Sequence, residues 1–100
     1  MVQTISTYIP REYKLYQNYP NPCKPLTKIR FDIPKNGRNL INTRFCVYDI
    51  FGREITMLLD KELEPGSYKI DLDASKFNPG LYFYKLIAGD FTDVKQMVVI

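Results

Sequence analysis

Histidine is absent from this 100-residue chain, and so is tryptophan. Without histidine there is no side chain poised near neutral pH to act as a general base, and the commonest metal ligand is missing. Ser6, Ser67 and Ser75 therefore have no partner for the usual nucleophilic triad. Two cysteines, Cys23 and Cys46, do not make a disulfide framework or a zinc site. Gly52, Gly66, Gly80 and Gly89 stand singly, so no glycine-rich phosphate loop exists. No apolar run approaches the roughly 20 residues of a membrane-spanning helix. The opening MVQTISTYIPREYK lacks a basic start followed by an apolar stretch, so an exported form would draw its signal from a larger precursor. Charge is weakly patterned: residues 1–53 carry nine basic and three acidic side chains, and residues 54–100 carry five and eight. The net charge of +3 comes with no basic run or basic helix, and nucleic-acid binding is not implied. Catalytic residues, metal ligands and cofactor motifs are all expected to be none, and a non-enzyme is expected.

Aromatic side chains are plentiful: eight tyrosines and six phenylalanines. Rings pack well across neighbouring strands, and the chain alternates accordingly. Thr27, Ile29, Phe31 and Ile33 interleave with Lys28, Arg30 and Asp32, a period of two that turns one apolar face inward. Ile41, Thr43, Phe45 and Val47 share one face of the next strand, which puts Cys46 on the other. Glu54 to Leu59 reads as a further strand, kinked or bulged at its consecutive apolar residues. Tyr68, Ile70 and Leu72 follow, then Tyr82, Tyr84 and Leu86, then a last strand near Thr92 to Ile100 with Met97 and Val99 inward. Tyr13 to Tyr16 forms a short first strand with Leu15 toward the core. Residues 1–12 show little periodicity and are expected to be a linker.

The corners have their own chemistry. Asp49-Ile50-Phe51-Gly52 reads as a tight connection, aspartate capping amides and Gly52 supplying positive φ. Pro65-Gly66 and Pro79-Gly80 suit the central positions of type II turns. Tyr19-Pro20-Asn21-Pro22-Cys23-Lys24-Pro25 has too few amide hydrogens for a central strand and must be an extended stretch or an edge crossing. The sum is all-β: an immunoglobulin-like two-sheet sandwich of about seven antiparallel strands, as turn spacing without a long helix favours. The paired Asp71 and Asp73 lie on one strand face and read as an exposed face running into a loop.

Several stretches resemble one family. Leu15-Tyr16-Gln17-Asn18-Tyr19-Pro20-Asn21-Pro22 is similar to the opening motif of the type A C-terminal sorting domain of the type IX (Por) secretion system of Bacteroidetes and relatives. Val47 to Ile55, with Asp49 and Gly52, resembles its central strand and turn. Pro65-Gly66-Ser67-Tyr68 and Gly80-Leu81-Tyr82-Phe83-Tyr84-Lys85-Leu86 resemble its later turn and strand. Lys95-Gln96-Met97-Val98-Val99-Ile100 resembles its terminal strand. Cys23 stands where the family usually has phenylalanine, and Asn36 to Thr43 is more polar than usual.

The resemblance implies a linker from upstream cargo over residues 1–12 and a C-terminal sorting domain over 13–100. Such a domain directs exported cargo from the periplasm through the outer membrane to the surface or the medium. Its implied partners are the secretion translocon, a sortase-like peptidase and the upstream cargo. Tyr19, Pro20, Asn21, Pro22, Asp49, Gly52, Gly66, Gly80, Tyr82, Lys95, Met97, Val98, Val99 and Ile100 are the candidate motif residues. Recognition is expected to use the last strand as a free edge. The alternatives are an accessory carbohydrate- or protein-binding sandwich module of a larger secreted enzyme, with tyrosines on an exposed sheet, or a purely structural assembly role.

Overall fold

Alternation with period two dictates strands, and the computed structural model, which describes residues 2–6 and 8–100, consists of strands and turns. In chain order they are β1 (Val2–Ser6), β2 (Lys14–Leu15), β3 (Leu26–Ile33), β4 (Ile41–Tyr48), β5 (Glu54–Leu63), β6 (Gly66–Asp73), β7 (Gly80–Ala88) and β8 (Phe91–Val99). They form two four-stranded antiparallel sheets, ordered β1-β6-β3-β2 and β5-β4-β7-β8. The described residues thus hold eight strands where about seven were expected. The additional one is β1, which pairs with β6 from Val2 opposite Ile70 to Ser6 opposite Ser67. Its five residues carry too little alternation to announce a strand, and the unpaired edge of β6 supplies the ladder.

The expected inward faces are the buried ones. Thr27, Ile29, Phe31 and Ile33 of one sheet and Ile41, Thr43, Phe45 and Val47 of the other are all nearly or wholly inaccessible. Four aromatic rings run through the middle. Tyr68 stacks on Phe31 at 5.4 Å, Phe31 meets Phe45 at 6.2 Å from the opposite sheet, and Phe45 stacks on Tyr84 at 5.6 Å. Offset rings at these separations add to the burial itself. Cys46 is buried yet stands apart from this core, on the outer side of β4, as its parity required. β5 runs four residues beyond the expected end, to Leu63, and the β4–β5 ladder shifts register at Phe45/Cys46 and Val47/Tyr48, the irregularity its consecutive apolar residues suggested.

The two Pro-Gly pairs do something other than expected. A type II turn holds its glycine near φ +80°. Gly66 sits at +158° and Gly80 at +150°, far from that value though still at positive φ, and each opens a strand. The chain changes sheets at both places, so these are corners between layers and not hairpin turns. Each corner is braced by a tyrosine four residues after the carbonyl it grips. The Tyr68 hydroxyl donates to Glu64 C=O at 2.5 Å, and the Tyr82 hydroxyl to Asn78 C=O at 2.7 Å. Asp49 behaves as read. Its Oδ1 accepts from the amides of Phe51 and Arg53, its Oδ2 from Arg53 Nε at 2.7 Å, and Gly52 takes φ +79°.

Candidate recognition surface at the strap and the terminal strand

Residues 17–25 leave β2 at the end of one sheet and arrive beside β8 at the end of the other. They close the seam between the layers. Prolines at 20, 22 and 25 remove three amide donors, and the segment is an edge crossing that bends, with cis peptide bonds before Pro20 and Pro22, where an extended stretch was the other expectation. Several of the remaining polar groups are tied down. Tyr19 exchanges two backbone hydrogen bonds with Lys28 of β3, both 2.9 Å. Asn18 is 2 % exposed, and its side-chain amide donates to Thr27 Oγ1 at 3.0 Å and to Pro20 C=O at 3.2 Å. Thr27 Oγ1 donates to the same carbonyl at 2.9 Å.

Beneath them lies Tyr84. Its hydroxyl accepts from the Asn18 N–H and donates to Tyr16 C=O, both at 2.8 Å. Burial removes water from this phenol and pushes its pKa up to about 12, with the Asn18 amide opposing. On the outer side of β2, the Tyr16 hydroxyl donates to Asp32 Oδ2 at 2.7 Å, and that bond raises the Tyr16 pKa. Lys14 and Arg30 lie over the Tyr16 ring at 4.6 and 4.7 Å.

At its far end the strap meets β8. In the β7–β8 ladder the hairpin closes on Ala88 opposite Phe91, so odd-numbered residues of β8 bond β7 and even-numbered ones face outward. Four of the outward groups near the C-terminus are taken. Gln96 C=O accepts from Gln17 Nε2 at 2.6 Å, and Val98 N–H donates to Asn21 Oδ1 at 3.0 Å. Val98 C=O accepts from Cys23 N–H at 2.8 Å, and Ile100 N–H donates to Cys23 C=O at 3.3 Å. Cys23 and Val99 form a parallel bridge. β8 ends its sheet, as expected, but its edge is not free over Gln96 to Ile100. The expectation of an open closing strand is corrected accordingly.

Of the candidate residues, the fold brings two groups together that lie at opposite ends of the sequence. Tyr19, Pro20, Asn21 and Pro22 are all exposed on the strap, with Tyr19 at 80 %. They sit against the strand that carries Lys95, Met97, Val98, Val99 and Ile100. Met97 and Val99 point into the core, Lys95 and Val98 are half-buried, and Ile100 is 56 % exposed. Asp49 and Gly52 belong to the β4–β5 turn, and Gly66, Gly80 and Tyr82 to the inter-sheet corners; they brace the frame and do not join this surface. Asp71 pairs loosely with Lys28 at 3.9 Å, and Asp73 caps the Ser75 amide at 2.9 Å, so each has local work.

Sequence reasoning singled out neither Gln17, Asn18, Cys23 nor Tyr84 as site residues. Gln17 and Asn18 sit inside the opening motif, which was the available signal. For Tyr84 the inward parity was plain, but nothing in it says that a hydroxyl would anchor residues 66 and 68 positions away. Cys23, with no exposed surface, contributes chiefly through its backbone, and its thiol donates to Pro25 C=O at 2.9 Å.

A family profile described as "Secretion system C-terminal sorting domain" matches residues 17–100. The match starts at the first strap residue that touches β8 and runs one residue past that strand, to Ile100. No curated protein matches the chain.

Proposed function

The chain belongs to the Por secretion tail family of secretion-system C-terminal sorting domains, and from that premise we propose that it is a non-catalytic export signal of type A. In this reading it directs an upstream cargo from the periplasm through the outer membrane by the type IX system. The translocon is the partner that recognises it, and a sortase-like peptidase the partner that cuts it from its cargo. Residues 1–12 join cargo to domain, the β1 edge strand included. The observation that carries the proposal is the extent of the match, which takes in both the strap and the terminal strand.

We read the architecture as immunoglobulin-like. Strands β2 to β8, taken without β1, are ordered β2-β3-β6 and β5-β4-β7-β8, an arrangement open to the lettering A-B-E and C′-C-F-G. The Tyr82 hydroxyl grips a carbonyl four residues upstream at the start of β7, the position of a tyrosine corner in such sandwiches.

The test is a secreted reporter fused to residues 1–100 in a host that has the system, beside the same fusion ending before Lys95. The reporter is expected outside the cell in the first case and in the periplasm in the second. Equal export of both, or of neither, refutes the sorting role.

A further inference from the structure

A strand that ends its sheet invites a partner to add another strand, and terminal-strand recognition would ordinarily be drawn that way. Two features of this molecule argue against it. First, the outward Gln96 C=O, Val98 N–H, Val98 C=O and Ile100 N–H are already bonded to Gln17, Asn21 and Cys23. An incoming strand would have to break these bonds to make equivalent ones, with no net gain in hydrogen bonding. Second, the strap offers no substitute edge. Pro20, Pro22 and Pro25 have no N–H, and the Tyr19 and Cys23 amides are used toward β3 and β8. The seam is blunted on both of its members.

What it presents instead is side chains. The Tyr19 ring stands 80 % exposed in a folded domain, fixed at its backbone by the Lys28 bridge. Exposed Pro20 and Pro22 flank Asn21, and half-exposed Ile100 lies beyond. Beside Tyr19, Pro20 helps to line an open groove of about 370 Å³ whose other apolar walls are Leu26 and Leu72. Tyrosine and proline expose large apolar area on stiff frames, so little conformational entropy opposes docking.

We propose that residues 17–23 and the end of β8 are recognised as one composite surface, by a protein partner whose apolar recess takes Tyr19, Pro20, Pro22 and Ile100. Strand addition to the clasped end of β8 plays no part. This rests on the sorting role and specifies how the domain is read. The hydrogen bonds that Gln17 donates and Asn21 accepts hold the two halves in register, and the partner reads the closed clasp.

The experiment uses the reporter fusion with three forms of the full chain: unaltered, Gln17→Ala with Asn21→Ala, and Tyr19→Ala. The double variant frees Gln96 C=O and Val98 N–H without changing any residue of β8, while the Cys23 backbone keeps Val98 C=O and Ile100 N–H. A composite surface predicts that export falls, by roughly three- to tenfold for each hydrogen bond lost from the clasp. Strand addition predicts unchanged or increased export, because part of the edge has been released. Tyr19→Ala removes only an exposed ring and leaves the fold alone. It is expected to lower export at unchanged thermal stability, and unaltered export would overturn the proposal whether or not the double variant folds. If the unaltered chain fails to export its reporter, the sorting role itself fails. If it exports and both variants match it, the composite surface alone is refuted.

Discussion

Replacing Tyr84 with phenylalanine keeps the ring and its stacking on Phe45 while deleting one oxygen. That oxygen serves two backbone groups at once, the Asn18 N–H and Tyr16 C=O. Asn18 is 2 % exposed, so water has little room to replace the lost acceptor. An orphaned buried donor costs about 1–3 kcal/mol, and the carbonyl of half-buried Tyr16 adds about 1 kcal/mol more. The expected loss is therefore about 2–4 kcal/mol, a large part of the stability of a small domain. In a chain of this size it corresponds to a fall in Tm of roughly 10–25 °C. Tyr82→Phe is the internal control. Its hydroxyl donates to a single corner carbonyl, so about 0.5–1.5 kcal/mol is expected. Urea unfolding followed by circular dichroism separates the two, provided the slope with denaturant is unchanged. If Tyr84→Phe unfolds within about 0.5 kcal/mol of Tyr82→Phe, the two-sided role of the Tyr84 hydroxyl is wrong.

Further expectations follow from the turns, the titrating groups and the thiols. Gly52→Ala and Gly89→Ala both force alanine to positive φ, at +79° and +57°, for about 1–2 kcal/mol each. Gly89→Ala should be the worse of the two in thermal melts, because its Cβ would stand 3.2 Å from the Tyr13 hydroxyl, whose ring stacks on Phe91. At high pH, Tyr84 ionises at about 12 in the fold and near 10 when unfolded. Its contribution is complete below about pH 10 and drains away as pH rises toward 12, so urea midpoints should fall across that window and by less in Tyr84→Phe. At low pH, burial works to raise the Asp49 pKa, but the Arg53 and Phe51 amides and the Arg53 guanidinium outweigh it and hold the carboxyl below its usual value. Its contribution is present above the unfolded value of about 3.9 and is lost as pH falls through the lower folded value; Asp49→Asn should flatten that part of the acid profile. Both cysteines are free and buried, and burial raises both thiol pKa values. A thiol reagent should therefore modify Cys23 and Cys46 only as fast as the chain opens; modification of either at the rate of a free thiol would contradict its position.

How far the residues speak for themselves varies along the chain. Where one face is buried and the other wet, side-chain alternation is forced, and Thr27 to Ile33, Ile41 to Val47 and Tyr82 to Leu86 all declare their inward faces. The Asp49–Gly52 turn is equally plain, since both its capping carboxylate and its positive φ are local requirements. The Pro-Gly pairs mark corners, but a dipeptide does not reveal whether the chain doubles back within a sheet or crosses to the other. That depends on which strand edge awaits it. β1 is invisible for a similar reason: its residues are indifferent, and the open side of β6 makes them a strand.

The clasp is the extreme case. Period-two patterning identifies a proline-broken segment near the start and an apolar strand at the end. It carries no information about Asn21 capping Val98, 77 residues away, or about Tyr84 holding Tyr16 and Asn18 where the chain enters the strap. Local sequence determined the strands and their faces, because burial and backbone geometry act residue by residue. Only the closed sandwich decided which edges meet, because side-chain hydrogen bonds across a seam exist only once both sheets are in place.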